Sequence, residues 1–567
     1  MNITLTQTDK LARIGVLGTL ELRADQLKLV KLLQSTKTGV PHQLDFYDAD
    51  SVPPDIISAL ADCLDRSVAL KILSYHPLLT HNLMRLGIPA QQVNIKAPPA
   101  ASQARKALAL AGSANSLDKI LHIIEALPLS QVSIFIVQHV MENQINLLDQ
   151  LLRVRTQYQV VMPQHLMAVA AATIYVAPPG HHMKVAHGLI YLTRDGHVQY
   201  ARPSIDVLFG SLASEYGADV MAVLLCGFGR DGVDGCGALK QTGACVIIED
   251  GDDCGDACVL PQAAIESGQY EQIMKLPVIT SVAAAAICSR EESASGVHLT
   301  LFIEALWSRY SYDFRGYQPE SLQRRVHNIM MQTGLPHFFD FQLALFSDQA
   351  IFERMLAEIS VCVTAFFRHP EQCQLLREQV FPYLASFPLI KCWSAGCATG
   401  EEPYSLAILL DELGLLNRSR LFATDFNAYL IEIAKSGLYP VKLLETSQHN
   451  YHKSAGPARF DNFIEPESRY LRIKHHLIAS TLFHLHSLVD EGIFNEFQLI
   501  ICRNVMIYFK PELQQKILQR FARSLHRDGF LVLGPQDGLH HLAIAAGFIP
   551  YIKGSHIYRL NNGGLYG

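Results

Sequence analysis

Ser394-Ala395-Gly396-Cys397-Ala398-Thr399-Gly400-Glu401-Glu402-Pro403-Tyr404 decides how the C-terminal part of this chain is read. The run follows an apolar, strand-like stretch, Leu389–Trp393, and its glycines let backbone approach a ligand closely. A second strand, Leu421–Thr424, ends at Asp425, where a carboxylate can hold two ribose hydroxyls. A third, Phe497–Cys502, leads into Cys502-Arg503-Asn504-Val505-Met506-Ile507-Tyr508-Phe509. Pro511 opens a helix through Leu525, and Phe530–Leu533 reads as a later strand. This order predicts a Rossmann-like parallel sheet with a nucleotide-like pocket, suited to NAD or to S-adenosylmethionine. Gly396 and Gly400 do not give the dinucleotide GxGxxG order, which favours the methyl donor, a ligand with no pyrophosphate to cradle.

Working outward, a second α/β pattern lies upstream. Strand-like runs appear at Ala107–Ala111, Ser133–Val137, Thr173–Val176, Val220–Leu225 and Ala244–Ile248. Between them, Leu117, Ile120, Leu121, Ile124 and Leu127 have helical spacing, which predicts a doubly wound parallel sheet. Ser113, His139 and Asp231 each fall just past a strand, where a nucleophile, a base and an orienting carboxylate could converge. The order Ser, His, Asp is not that of the α/β-hydrolases, and no glycine-flanked elbow is present. Residue by residue, plainer readings stand beside this one. A serine after a strand is commonly a helix cap, Asp231-Gly232 is an ordinary turn dipeptide, and His139 could be a core histidine.

The composition sets bounds. A chain of 567 residues with 49% hydrophobic residues should hold three or four domains, each with its own core. A net charge of −6 argues against a nucleic-acid partner. Twelve cysteines without paired spacings suit a reducing cytosol. No signal-peptide core and no stretch of membrane-spanning length are evident, so a cytoplasmic protein without membrane insertion is expected. The pairs His181-His182, His475-His476 and His540-His541 lack a completing acidic or cysteine set, and no metal site is expected.

Ala97–Gln103 and Ser289–Gly296 read as linkers. Before the first, strands at Ala12–Gly18, His42–Tyr47 and Val68–Leu73 alternate with helices at Leu27–Leu33, after Pro53-Pro54, and through Leu86. In pattern this order resembles the small STAS-type regulatory domain, with Pro53-Pro54-Asp55 where that family often has a phosphorylatable serine. After the second linker, Leu299–Trp307, Pro319–Met331 and Phe338–Ile359 show helical spacing, and Arg324 and Arg325 lie on the middle segment. Those arginines form either a solvated face or a contact for an acidic receptor helix.

Five segments in order resemble the chemotaxis protein-glutamate methylesterase family: Ala109–Ala114, Ile136–His139, Tyr175–Met183, Arg202–Phe209 and Leu224–Gly232. The resemblance implies that Ser113 attacks a glutamate methyl ester, His139 relays the proton and Asp231 orients the imidazole; the family can also deamidate glutamine. Asn115-Ser116 replace the family's usual glycine pair, and Phe228 its methionine. Downstream, Val363–Arg368, Trp393–Ser405, Ala423–Asp425 and Cys502–Phe509 resemble the chemotaxis receptor methyltransferase family. By that resemblance Asp425 takes the ribose of S-adenosylmethionine, and Glu401 with Arg368 holds its methionine end. Thr364, Ser487, Leu488, Asn504 and Val505 would line the rest of the pocket, with Tyr508 near the transferred methyl. Cys362 and Ser487 stand where asparagines are usual, and Gln498 where an aspartate is common.

The expected architecture is multidomain α/β. It comprises a STAS-like domain over 1–97, a doubly wound esterase over 104–288, a small all-α domain over 297–375 and a Rossmann-like methyltransferase over 376–567. The expected partner is the cytoplasmic helical region of a methyl-accepting transmembrane receptor, with two-component signalling proteins as further partners. The alternative is a two-component signalling scaffold whose esterase half is silent, a reading that the Asn115-Ser116 replacement favours.

Overall fold

The computed structural model describes residues 2–8, 11–17, 23–35, 41–46, 52–74, 77–92, 106–141, 146–288, 296–360, 364–466, 470–489, 492 and 495–561. Ala97–Gln103, residues 289–295 and Cys362 lie outside the described residues. The chain forms two compact units, Met1–Tyr310 and Ser311–Gly567.

The first unit contains two parallel sheets. Near the N-terminus, Leu11–Leu17, His42–Phe46, Leu70–Ser74 and Ala90–Gln92 run parallel in that order, with Asn2–Thr8 added antiparallel at one edge. Three helices, Arg23–Gln34, Pro54–Asp65 and Pro77–Arg85, connect the parallel strands. The two edge strands were not expected from the sequence. One is the outermost antiparallel strand and the other has only three residues, so neither shows a long apolar run.

The larger sheet has the order Gln272–Met274, Cys245–Glu249, Val220–Leu224, Ala107–Gly112, Ser133–Gln138, Thr173–Val176, Gln159–Val161, all parallel. Every residue of Ala107–Gly112 and of Val220–Leu224 is buried, as expected of central strands covered by helices on both faces. Each fully buried Val, Leu or Ile there contributes about 1.5–3 kcal/mol. The chain leaves Ala107–Gly112 toward Ser133–Gln138 and later returns to its other side with Val220–Leu224, which makes the end of Ala107–Gly112 a topological switch point. The helix Gly296–Tyr310 packs on Leu276–Ile287 within this same unit.

In the second unit, the span expected as one helix over Phe338–Ile359 is two, Phe338–Ser347 and Gln349–Ile359. Asp348 between them is extended, and its carboxylate caps the second helix by accepting from Ala350 N at 2.8 Å. The sheet order is Thr481–Leu485, Ser419–Asp425, Ile390–Ala395, Phe497–Cys502, Leu525–Leu533, Ile557–Leu560, Phe548–Ile552. The first five strands are parallel, Ile557–Leu560 runs antiparallel to them, and Phe548–Ile552 pairs antiparallel to Ile557–Leu560. Its switch point is the end of Ile390–Ala395, flanked by the strands ending at Asp425 and Cys502. Among the described residues no helix is long and apolar enough to cross a membrane.

Candidate active sites

Gly112 and Gln138 pair in register on adjacent parallel strands, so Ser113 and His139 emerge side by side, about 5 Å apart in backbone spacing. The His139 N–H donates to Gly112 O at 3.1 Å, and the Ser113 N–H donates to Cys226 O at 2.9 Å. His139 Nε2 donates to Asp231 Oδ2 at 2.7 Å. That choice of nitrogen leaves Nδ1 outside the bond to Asp231. Among the described residues Ser113 Oγ itself makes no hydrogen bond.

Asp231 is the most heavily tied group here. Besides His139 it accepts from Ser204 Oγ at 2.7 Å, Ile205 N at 2.7 Å and Asp206 N at 3.1 Å. Burial pushes its carboxyl up, but these donors, His139 foremost, outweigh burial and hold it below the usual aspartate value. It is therefore ionised at neutral pH. Burial raises the neighbouring Asp206 to about 6, and the Asp231 charge adds to the effect.

Ser204 is in turn placed by His182, whose Nδ1 accepts the Ser204 N–H at 3.2 Å while Nε2 donates to Gly196 O at 3.0 Å. These partners fix one neutral tautomer, and burial holds His182 below the ordinary histidine value. The His181-His182 pair thus serves as backbone and carboxylate support, with His181 bonded to Pro179 O and Arg194. The turn after Ser113 accommodates its substitutions. Asn115 adopts φ 64°, a conformation asparagine tolerates, and buried Ser116 donates from Oγ to Ser113 O at 2.7 Å.

In the second unit one cavity opens at the switch point. It is lined by Thr364, Arg368, Asp425, Ser487, Leu488, Asn504, Val505 and Tyr508, eight of the nine pocket residues expected from the sequence. Asp425 ends its strand buried, its oxygens accepting from Ala398 N at 3.0 Å and Asn427 N at 3.0 Å. Burial raises its carboxyl against those donors. Gly396 has φ 80°, and a Cβ there would collide with Val505 Cγ2. Phe367, His369, Ala398 and Asn504 all have positive φ, backbone strain gathered around one cleft. A glycine cradle, an acidic strand end and the rings of Tyr317, Phe426 and Tyr508 fit a nucleoside carrying a sulfonium.

The all-alpha domain of CheR methyltransferase matches residues 298–360, its SAM binding domain matches 362–550, and CheB methylesterase matches 108–282. A Pseudomonas putida protein named as methyltransferase Cher3 is 36% identical, over 47% of this chain and 98% of that protein. The chain belongs to the CheR methyltransferase family. A chemotaxis protein methyltransferase of Listeria innocua is 31% identical, over 40% of this chain and 84% of its own length. A 104.1 kDa Rhodobacter capsulatus protein is 27% identical over 69% of this chain, and the chain spans 44% of that protein. This CheR enzyme therefore also carries a CheB methylesterase domain, and its cofactor is S-adenosylmethionine.

Glu401 is the exception among the expected pocket residues. It lies buried outside the cavity lining, where its carboxylate accepts from Thr399 Oγ1 at 2.6 Å. Glu402 faces the cavity instead, paired with Arg503 at 2.7 Å and accepting from Ser394 Oγ at 2.7 Å. Consecutive helical residues diverge by about 100°, which the sequence alone could not orient. Gln498, where the CheR family commonly has aspartate, accepts the Lys391 N–H at 2.8 Å.

Sequence reasoning also missed the supports of Asn504. Its N–H donates to Asp537 at 3.1 Å, and its Oδ1 bonds His369 Nε2 at 3.2 Å. Both partners are distant in sequence, and neither stands in a motif. Arg325 stacks over the Tyr508 ring at 5.1 Å and donates to Glu358 O at 2.9 Å, whereas Arg324 is exposed. Tyr317 lines the cavity with its ring edge-on to Phe509 at 5.0 Å, and Gln318 N donates to Tyr508 O at 2.8 Å.

Proposed function

We propose that this chain both writes and removes methyl esters on glutamate side chains in the cytoplasmic helical region of a methyl-accepting chemotaxis receptor. The observation that carries the reading is the pairing of two switch-point sites in one polypeptide: a His139–Asp231 dyad beside Ser113, and a cavity around Asp425.

On the writing side, bound S-adenosylmethionine supplies an electrophilic methyl on sulfur. Asp425 takes the ribose, Arg368 faces the carboxylate of the methionine end, and Tyr508 sits beside the substrate glutamate. That glutamate is already anionic near neutral pH, so alignment and exclusion of water suffice and no strong base is needed.

On the removing side, Ser113 rotates its hydroxyl toward His139 Nδ1, which takes the proton as Oγ attacks the ester carbonyl. Asp231 stabilises the imidazolium through Nε2, and His139 returns the proton to the departing methoxide, giving methanol. Water then releases the acyl group by the same relay. The same attack on a glutamine side chain would release ammonia. The STAS-like reading of residues 1–97 rests on element order, and that module is proposed to bias one activity over the other.

A silent esterase scaffold is favoured by one feature, the Asn115-Ser116 replacement after the nucleophile. Methanol release from methylated receptor separates the readings. Ser113→Ala should abolish release while binding of labelled S-adenosylmethionine persists. Absence of release by the unmodified protein would leave only the scaffold.

A further inference from the structure

Cys226 and Cys254 meet directly beneath the esterase nucleophile. The carbonyl of Cys226 is the acceptor for Ser113 N at 2.9 Å. Cys254 lies between the short turns Gly251–Asp253 and Gly255–Ala257. The residues are 0% and 4% exposed, and their sulfurs lie within 4.8 Å of each other and of a Glu249 oxygen. Lys119 pairs with that carboxylate, donates to Asp253 O at 2.8 Å and comes within 3.9 Å of Cys254 Sγ.

Two thiols and a carboxylate suit either a soft divalent cation or a redox pair, and Lys119 decides between them. One Glu249 oxygen is held by the ammonium and the other accepts the Cys226 N–H at 2.8 Å, so a metal ion would compete with a donor at each oxygen. A cation within the donor set repels a divalent ion but favours a thiolate. The hydrogen bond from Cys254 and the Lys119 charge together hold Cys226 below the ordinary thiol value, against burial and the Glu249 charge.

We infer that Cys226 and Cys254 are a hydroperoxide-sensitive dithiol whose conversion to a disulfide disables the esterase while the methyltransferase keeps working. The consequence for the esterase rests on the esterase reading above. The Cys226 thiolate attacks one peroxide oxygen, the O–O bond breaks, and the leaving hydroxide takes a proton to become water. The Cys254 sulfur then displaces hydroxide from the Cys226 sulfenic acid, its own proton leaving in the second water. Two thiols are oxidised and one peroxide is reduced to two waters. Entry needs room only for a molecule little larger than water, and half-buried Cys258 packs against the pair.

Bond formation would reach Ser113 through Gly227. Gly227 N donates to Ala257 O at 2.8 Å, and Leu260 N donates to Gly227 O at 2.9 Å, so the two cysteine segments are already tied together. A Cβ on Gly227 would lie 3.0 Å from Ser113 N, which leaves the segment no slack as the sulfurs close to a bond of about 2.05 Å. Any shift of Cys226 in that closure is passed directly to the backbone that holds Ser113.

The test treats the full chain with hydrogen peroxide and maps the peptides by mass, before and after reduction with dithiothreitol. A Cys226–Cys254 link is expected, absent in Cys254→Ser and reversed by dithiothreitol. Methanol release should fall about tenfold or more on oxidation, recover on reduction, and stay unchanged by peroxide in Cys254→Ser, while methyl transfer changes by less than about twofold. Thiol loss without the link overturns the proposal. So does one equivalent of zinc bound through these sulfurs, or a link that leaves methanol release unaltered. A link in a chain that releases no methanol even when reduced supports the dithiol and overturns the esterase reading instead.

Discussion

Replacing Asp231 by asparagine isolates the part of the esterase that the geometry makes most specific. The carboxylate accepts four hydrogen bonds between 2.7 and 3.1 Å, two on each oxygen. In Asp231→Asn the amide oxygen can keep Ser204 Oγ and Asp206 N, which leaves the NH2 facing Ile205 N–H and His139 Nε2. Ile205 N–H loses its acceptor, at a cost of about 1–3 kcal/mol in a buried site. His139 must now accept at Nε2, so its proton moves to Nδ1, the nitrogen Ser113 needs as base. By analogy with other triads, kcat for methanol release should drop about 10³- to 10⁴-fold. The assay is methanol release from methylated receptor, with binding of labelled S-adenosylmethionine as a control that the polypeptide is intact. Release within a factor of a few of the unmodified protein would refute the role given to Asp231 and the tautomer argument with it.

Three further outcomes are expected. Asp425→Ala should weaken S-adenosylmethionine binding about 10- to 100-fold by calorimetry, since a hydrogen-bonded charge is worth about 1.5–3 kcal/mol; unchanged affinity would exclude Asp425 from the ribose. Gly396→Ala places a methyl at φ 80° against Val505, and binding should fall more than about tenfold; Gly396→Ala with Val505→Ala should recover part of it, and no recovery would deny the collision. His165 is lowered to about 4 by burial and its Nδ1 accepts the Leu192 N–H at 3.1 Å, so it folds neutral. Its contribution to stability is complete above the unfolded value near 6.5 and is lost as pH falls through the folded value; between pH 7 and 5 urea unfolding of the esterase unit should lose about 1–2 kcal/mol, and His165→Gln should flatten that slope.

Much of both sheets was legible because central parallel strands are buried on both faces and read as unbroken apolar runs. Phe497–Cys502 was expected with the bounds it has, and Ala107–Gly112 to within one residue. Edge strands such as Gln159–Val161 and Gln272–Met274 were not, being three residues long and partly exposed. Asp348 hid a helix break because a cap residue inside an apolar-periodic stretch leaves the spacing almost undisturbed. The supports of the sites were the least legible. Ser204, His182, Asp537 and His369 act on groups tens to more than a hundred residues away, and local pattern carries no trace of such pairings.

The sequence by itself determined which residues follow which strands: Ser113, His139 and Asp231 in one sheet, the Gly396 turn, Asp425 and Asn504 in the other. Strand alternation and glycine placement are local properties, governed by burial and backbone sterics along the chain. Tertiary structure decided that Ser113 and His139 emerge in register, that Nε2 rather than Nδ1 meets Asp231, and that Glu402 rather than Glu401 faces the cavity. It also decided that two scattered cysteines share a buried site with Lys119. Each of these depends on directions and distances between segments far apart in the chain, which exist only once the strands have packed.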